Sequence, residues 1–392
     1  MPRTYPSTTS LHNHPQPNSP RPLHLSPDGT VLLAHSEDLY LRSFVLPPDL
    51  VTSPPPLALD PYSTIGPIQS HTQAIPPYFS LSDPNTTHVL LSLPDLPLRL
   101  TNALDLSHNH ATYPLIHPPT EAFIAPHSLV FSTDGIRFAA GSKARISIFD
   151  LARDAQGPVS SISTAQERRR SAGSGLHGCV IALDACAITG QLAAGSTSGE
   201  VGVYDARDAG REVVSFDVGE SRGVGQVKWI GEGTYLAIAG RKSQGLALWD
   251  LRMARRLCWL AGRKGGLAMR MGFDFQQTED GCHILAGGTD GVVRIWKDVV
   301  SREGTRLHEG EWKAHDDAVT SVLAHSCGDV VITAGGSRKD MGVYECDDMD
   351  AGMPFRDGGE STAGIKAWSL PPQHLSMATN ELSATQHQQS RM

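Results

Sequence analysis

Residues 241–270, "RKSQGLALWDLRMARRLCWLAGRKGGLAMR", carry eight basic side chains and one acid, Asp250. That is a local charge of +7 in a chain whose formal net charge is −8. Such density suits phosphate binding, because each lysine or arginine that meets a phosphate releases condensed counterions. The candidate RNA contacts are Arg241, Lys242, Arg252, Arg255, Arg256, Arg263 and Lys264. The competing reading is an ordinary basic surface that balances acidic neighbours. Trp259 lies among them and could stack a base, although an aromatic in an outer strand more often packs the interior. Other chemistry is scarce. There is no GxSxG elbow, no HExxH and no GK[ST], so no catalytic residue and no nucleotide loop is assigned. His12/His14 and His108/His110 would each place two rings on one face of an extended strand. Only Asp105 lies near as a further ligand, so solvated loop histidines are the simpler reading, and neither metal nor cofactor is assigned.

Those basic residues need a frame, and the frame is repetitive. "FAAGSKARISIFDL" (138–151), "LAAGSTSGEVGVYDA" (192–206), "LAIAGRKSQGLALWDL" (236–251) and "AGGTDGVVRIWKD" (286–298) share one pattern. Each has a small-residue strand, a Gly/Ser turn, an aliphatic strand and a closing aromatic, usually followed by an acid. The closing aromatics are Phe149, Tyr204, Trp249 and Trp296, spaced 55, 45 and 47 residues apart. Fainter copies end near Phe44, Leu100 and Trp368. A period of about 40–50 residues with a Trp-Asp ending marks a β-propeller, in which each four-stranded blade buries its faces against its neighbours. Asp28-Gly29, Asp134-Gly135, Ser198-Gly199 and Asp290-Gly291 read as hairpin turns. The last of these invites comparison with a phosphate loop. It lacks the lysine, the hydroxyl and the following helix, and a tight turn with positive φ at both central residues is expected instead.

The reading is therefore an all-β, seven-bladed WD-repeat propeller over residues 22–370, with blades near 22–60, 75–113, 123–170, 177–220, 224–262, 267–314 and 317–370. Residues 1–21 form an N-terminal arm, of which 1–12 are expected to add an outer strand beside the one ending at Trp368. Residues 371–392 are expected to be a flexible tail. Of 27 prolines, 23 precede residue 127, and loops such as "LPPDLVTSPPPLALDPY" accommodate them without breaking a strand ladder. Residues 336–364 carry seven acids against three bases and read as a solvated insertion in the last blade. Its Tyr344 competes with Trp368 for that blade's third strand. Arg168-Arg169-Arg170 reads as a solvated face of a long loop. No stretch approaches the roughly 18 apolar residues of a membrane span. The six cysteines hold no CxxC pair, which fits a reducing, nucleocytoplasmic compartment.

"LSPDGTVLLAHSEDLYLRSFVLPPDL", "YPLIHPPTEAFIAPHSLVFSTDG", "AAGSTSGEVGVYD" and "AGRKSQGLALWDLR", in that order, resemble the WD-repeat family of telomerase Cajal body proteins in its fungal branch. The resemblance spans about residues 20–370. It implies a non-enzymatic, nuclear RNA-binding scaffold without a membrane or small-molecule substrate. Its partners would be small nuclear or Cajal body RNA and the proteins of those particles. Animal relatives bind small Cajal body RNAs and telomerase RNA and help assemble spliceosomal particles; fungal relatives are tied to pre-mRNA splicing. The chain departs from the pattern at "LRLTNAL", which lacks the aromatic-acid ending, and at Trp296-Lys297. His315 with Asp340 is the one pairing nominated for the blade-stabilising histidine network. The animal proteins' long N-terminal extension has no counterpart here, so functions housed there are not carried over.

Two other function classes stay open. "WDLR" (Trp249 to Arg252) matches the blade ending of substrate receptors for cullin ubiquitin ligases, a protein-only adaptor role. An enzyme working in the propeller channel would need carboxylates or histidines converging from several blades, and the sequence alone assembles no such set.

Overall fold

The computed structural model describes residues 3–10, 23–36, 39–48, 50, 61–66, 72–165, 175–205, 210–219, 223–266, 270–336 and 364–370. Its strands form seven sheets arranged as a seven-bladed β-propeller, and no helix occurs among the described residues. Blades 1 to 4 each use four consecutive strands within 24–65, 72–113, 128–163 and 180–217. Blade 5 covers 224–261 and blade 6 covers 273–313. Blade 7 combines the strands Val319–Ala324, Val330–Gly335 and Gly364–Ser369 with Arg3–Ser10 from the chain start. The pairing of Arg3–Ser10 with Gly364–Ser369 is antiparallel, with Thr4 opposite Trp368. It joins the two ends of the chain in one sheet and covers what would be an open edge.

Trp368, not Tyr344, stands on the third strand of blade 7, with Val331 opposite it. Tyr344 and most of the acidic insertion lie outside the described residues, as do His12, His14 and Arg168 to Arg170.

The second strands are buried along most of their length, and Val31–His35 and Leu192–Ser196 along all of it. This explains sequences that are apolar on both faces, since each sheet is covered by its two neighbours. One core cluster joins Ala237 and Leu248 of blade 5 to Phe273 and Ile284 of blade 6. Another joins Leu100 and Tyr113 of blade 2 to Phe138 and Phe149 of blade 3. Leu100 leaves a gap where other blades have an aromatic. Tyr113 on the outer strand fills the space, with its ring 5.1 Å from Phe138, which stacks on Phe149 at 4.9 Å.

Two turns repeat atom for atom. In "SPDG", Ser26 Oγ donates to Asp28 (2.6 Å) and accepts from the Val31 N–H (2.8 Å). In "STDG", Ser132 Oγ donates to Asp134 (2.6 Å) and accepts from the Arg137 N–H (3.0 Å). Gly29 and Gly135 take φ of 74° and 69°.

Blade 5 carries an additional feature. The strand Gly304–Leu307, from the long turn between the third and fourth strands of blade 6, pairs in parallel with Arg255–Ala261. Blade 5 thus becomes a five-stranded sheet.

Candidate nucleic-acid interface

Because strands run alternately up and down, a propeller has two distinct rims. Turns between first and second strands, and between third and fourth, open on one side, here termed the turn rim. Tips between second and third strands, and the links from blade to blade, open on the other, the link rim. The basic segment divides between them.

Arg241 and Lys242 form the second tip of blade 5, and Lys264 lies on the link to blade 6. Gly265 packs so closely on the backbone carbonyls of Ser243 and Lys242 that a Cβ there would collide with them. The Lys264 carbonyl accepts the Thr289 N–H (2.9 Å) at the adjacent tip of blade 6. Backbone contacts therefore hold the tip and the link side by side, and Lys242 and Lys264 are both exposed. Arg270 follows on the same link. Its Nη1 lies 3.5 Å from the His127 carbonyl of blade 3, so it reaches across the mouth of the central channel.

Arg252, Arg255 and Arg256 open on the turn rim. Arg255 is engaged by both oxygens of Glu303 (3.0 and 2.6 Å). Arg252 lies 3.4 Å from Asp250, and Arg256 sits 5.7 Å from the Trp259 ring centroid. This rim also carries Asp28, Asp134, Asp154, Glu232, Asp280 and Asp329, an environment that repels phosphate.

Arg263 departs from the sequence-based expectation of a surface contact. It is 2% exposed, and its Nε and Nη2 donate to the carbonyls of Gly287 and Met271 (2.8 Å each). Burial holds its pKa down at about 10, still charged at neutral pH. Its guanidinium ties the link to blade 6 and is not offered to a ligand.

The Gly-rich tip 288–291 is filled by the protein itself. Gly288 N–H donates to Val292 (2.9 Å) and Gly291 N–H to the Gly288 carbonyl (3.2 Å). Gly291 has φ of 74° and Gly199 of 98°, whereas Asp290 is not among the residues with positive φ. A two-residue turn with both residues left-handed is thus replaced by a three-residue loop that ends in a left-handed glycine. Asp290 is occupied by Arg294 Nη2 (2.6 Å).

In blade 7, Trp368 Nε1 donates to Thr333 Oγ1 (2.7 Å), which lies 2.8 Å from His315 Nε2. The alternative acceptor for the threonine proton, the Lys366 carbonyl, is 3.5 Å away, so the shorter contact directs that proton to the imidazole. The ring proton then sits on Nδ1, which is buried without a partner among the described residues. Asp340, its nominated partner, lies outside them. Such a tryptophan–threonine–histidine chain couples the third strand to the second and to the preceding link.

Residues 274–297, the first three strands of blade 6, match the family "WD domain, G-beta repeat". "Telomerase Cajal body protein 1" of Homo sapiens is 25% identical over 323 residues, 80% of this chain and 56% of that protein. Its Rattus norvegicus counterpart is 25% identical over 326 residues, 80% and 58%. The chain is a WD-repeat β-propeller related to the telomerase Cajal body proteins. It spans somewhat over half the length of those relatives. "Guanine nucleotide-binding protein negative regulator 1" of Schizosaccharomyces pombe is 28% identical over 293 residues, 69% of each chain, in keeping with a fungal branch.

In this WD-repeat propeller the inner strands carry a polar set that sequence reasoning missed. Asp184 of blade 4, Lys228 of blade 5, Asp274 of blade 6 and His24 of blade 1 come together in the channel. Lys228 pairs with Asp274, and its charge also acts on His24 and Asp184. Burial, opposed by the Trp229 N–H and by Lys228, pushes Asp184 up to about 6. Burial, aided by Lys228, holds His24 down at about 4, so it is neutral at physiological pH. These groups clasp neighbouring blades. Asp184 accepts the Trp229 N–H (2.8 Å), and Asp274 accepts the Ala324 N–H (3.0 Å). Gln226 clamps both the N–H and the carbonyl of Phe273 (2.9 and 3.0 Å). The signal was available as lone charges inside apolar runs, "VIALDA", "VGQVKWI" and "FDFQQT", once those runs are known to be first strands. His108 and His110 lie 4.7 Å apart between ring centroids, yet no group of three or more His, Cys, Asp or Glu suited to a metal occurs among the described residues.

Proposed function

We propose that this protein is a non-enzymatic, nuclear RNA-binding scaffold for small nuclear or Cajal body RNA–protein particles, with its RNA site on the link rim. The role would lie in telomerase RNA or spliceosomal particle assembly and pre-mRNA splicing. The observation that carries the reading is the juxtaposition of Lys242 and Lys264 by the close approach of Gly265 to the blade 5 tip, with Arg241 beside them. It is joined by the name of the Homo sapiens relative, which speaks of telomerase and the Cajal body. The chain is acidic overall, so phosphate binding needs a concentrated patch, which Arg241, Lys242 and Lys264 would supply beside an Asp290 already occupied by Arg294. Arg252, Arg255 and Arg256 contribute less because their charges are already engaged on the acidic turn rim. The test is Arg241→Glu/Lys242→Glu/Lys264→Glu, checked for normal melting, with small-RNA binding followed over a salt series. The log–log salt slope should fall by about 2 for three lost contacts to single-stranded RNA. An unchanged slope and affinity would remove the RNA site from this rim.

A second reading, a protein-only adaptor such as a cullin-ligase substrate receptor, draws on the Schizosaccharomyces pombe relative, named for a guanine nucleotide-binding protein. It gains if the purified wild type retains no RNA at low salt.

A further inference from the structure

We propose that the turn rim of blades 2 and 3 is a docking surface for a cationic peptide segment of a partner protein, anchored by an apolar side chain. Tyr78, on the first turn of blade 2, is 37% exposed, and Ile136, on the equivalent turn of blade 3, is 57% exposed. Tyr78 packs over Gly135, the residue before Ile136, where an added Cβ would lie only 2.5 Å from Tyr78 Cδ1. From Tyr78 the surface continues as a row of imidazoles. The Tyr78 hydroxyl is 3.2 Å from His88 Nδ1, the His88 ring is 4.6 Å from His110, and His110 is 4.7 Å from His108. This is a continuous apolar and aromatic strip across two blades, of the kind that marks an interaction site on a folded domain.

The charge around the strip selects the occupant. Asp134 adjoins Gly135, Asp154 accepts the Thr112 N–H (2.8 Å) two residues beyond His110, and Asp105 lies three residues before His108, which acts on it. The nearest bases are Arg137, which acts on Asp134, and Arg153, which is bonded to Gln156 (2.8 Å). An apolar strip edged by carboxylates complements a segment in which arginine or lysine flanks an aliphatic residue. RNA is disfavoured by the same carboxylates.

The imidazole row makes such docking sensitive to pH. His88 faces Tyr78 and His110, His110 faces His88 and His108, and His108 faces Asp105. Burial first, and then the neighbouring ring, holds His88 and His110 below the ordinary imidazole range. Hydrogen bonds from Ser107 and Ser132 hold Asp105 and Asp134 below the ordinary carboxylate range. As pH falls below the ordinary imidazole range, therefore, His88 and His110 gain charge while Asp105 and Asp134 keep theirs longer, and a cationic ligand is repelled.

The probes are four fluorescein-labelled peptides of alternating Arg-Leu, Lys-Leu, Arg-Ser and Glu-Leu, titrated with the full chain in anisotropy at low salt. The Arg-Leu and Lys-Leu peptides should bind at pH 7.5, and Arg-Ser and Glu-Leu should bind about tenfold more weakly or not at all. Ile136→Arg, on an exposed side chain, should weaken Arg-Leu binding about tenfold without changing the melting temperature. Lowering the pH below the ordinary imidazole range should weaken it severalfold in the wild type and much less in His88→Gln/His110→Gln. The proposal is overturned if no peptide binds the wild type, if Glu-Leu binds as well as Arg-Leu, or if Ile136→Arg binds normally. None of these outcomes depends on the link-rim site.

Discussion

Replacing Asp184 by Asn should stabilise the propeller at neutral pH, although Asp184 sits beside a lysine and holds two blades together. Its pKa moves from 3.8 to about 6, chiefly because burial disfavours the charge. The folded state thus binds this proton more tightly than the unfolded chain does. The side chain's contribution is most favourable below the unfolded value of about 3.8, declines as pH rises to 6, and stays at its lowest above that. About two pK units correspond to about 3 kcal/mol, and water in the channel screens a large part of this, which leaves roughly 1 kcal/mol. The asparagine retains a carbonyl oxygen for the Trp229 N–H, so the clasp at 2.8 Å survives while the charge does not. Lys228 keeps its partner Asp274. Urea denaturation of wild type and Asp184→Asn at pH 7.5 should place the variant about 1 kcal/mol higher, and at pH 5 the gap should shrink to about half, closing only as pH falls towards 3.8. A variant less stable than wild type at pH 7.5 would refute the reasoning, because it would mean that attraction to Lys228 outweighs desolvation.

Gly291→Val should lower stability by more than about 2 kcal/mol, because it combines positive φ with a collision at the His315 carbonyl; RNA affinity of the folded fraction should be unchanged. Arg263→Met should cost about 2–3 kcal/mol in chemical denaturation by stranding the Gly287 and Met271 carbonyls, yet leave the salt slope of RNA binding unaltered. His24 titrates at about 4 when folded and 6.5 by reference. Its depressed pKa supplies stability that is complete above 6.5 and drains away as pH falls to 4. His24→Gln should flatten the wild-type loss of melting temperature across that window.

The repeat was legible because blade packing imposes it on the residues. Second strands must be small and apolar on both faces, so "FAAGS", "LAAGS" and "YLAIAG" look alike, and the closing aromatics Phe149, Tyr204, Trp249, Trp296 and Trp368 mark the third strands. The basic patch was legible as composition but not as geometry. Seven candidates within 24 residues share one stretch of chain, yet the alternation of strand direction sends Lys242 and Lys264 to one rim and Arg255 to the other. Arg263 shows why charge alone misleads. A guanidinium can be buried at the cost of desolvation when two backbone carbonyls are fixed to receive it, and nothing in "AGRKGG" announces those carbonyls. The channel set was hidden for the opposite reason, since Asp184, Lys228 and Asp274 are 44 and 46 residues apart and meet only when the ring closes.

Ring closure also lets an acidic protein carry two faces of different charge. In a linear chain of alternating turns, charge of either sign would be scattered. In a propeller every first and third turn faces one way, and every second tip and link the other, so a bias in turn composition becomes a bias between two faces. Ser-x-Asp-Gly turns need an aspartate to hold their own N–H groups, as Asp28 and Asp134 do, and all such turns open on the same rim. The carboxylates of these two turns therefore lie on the rim opposite Lys242 and Lys264. Reversing Lys242 and Lys264 removes charge from a face with little to replace it, whereas reversing Arg255 mainly frees Glu303 on a face that already repels phosphate. On the proposed reading, the link rim would serve phosphate and the turn rim a cationic partner.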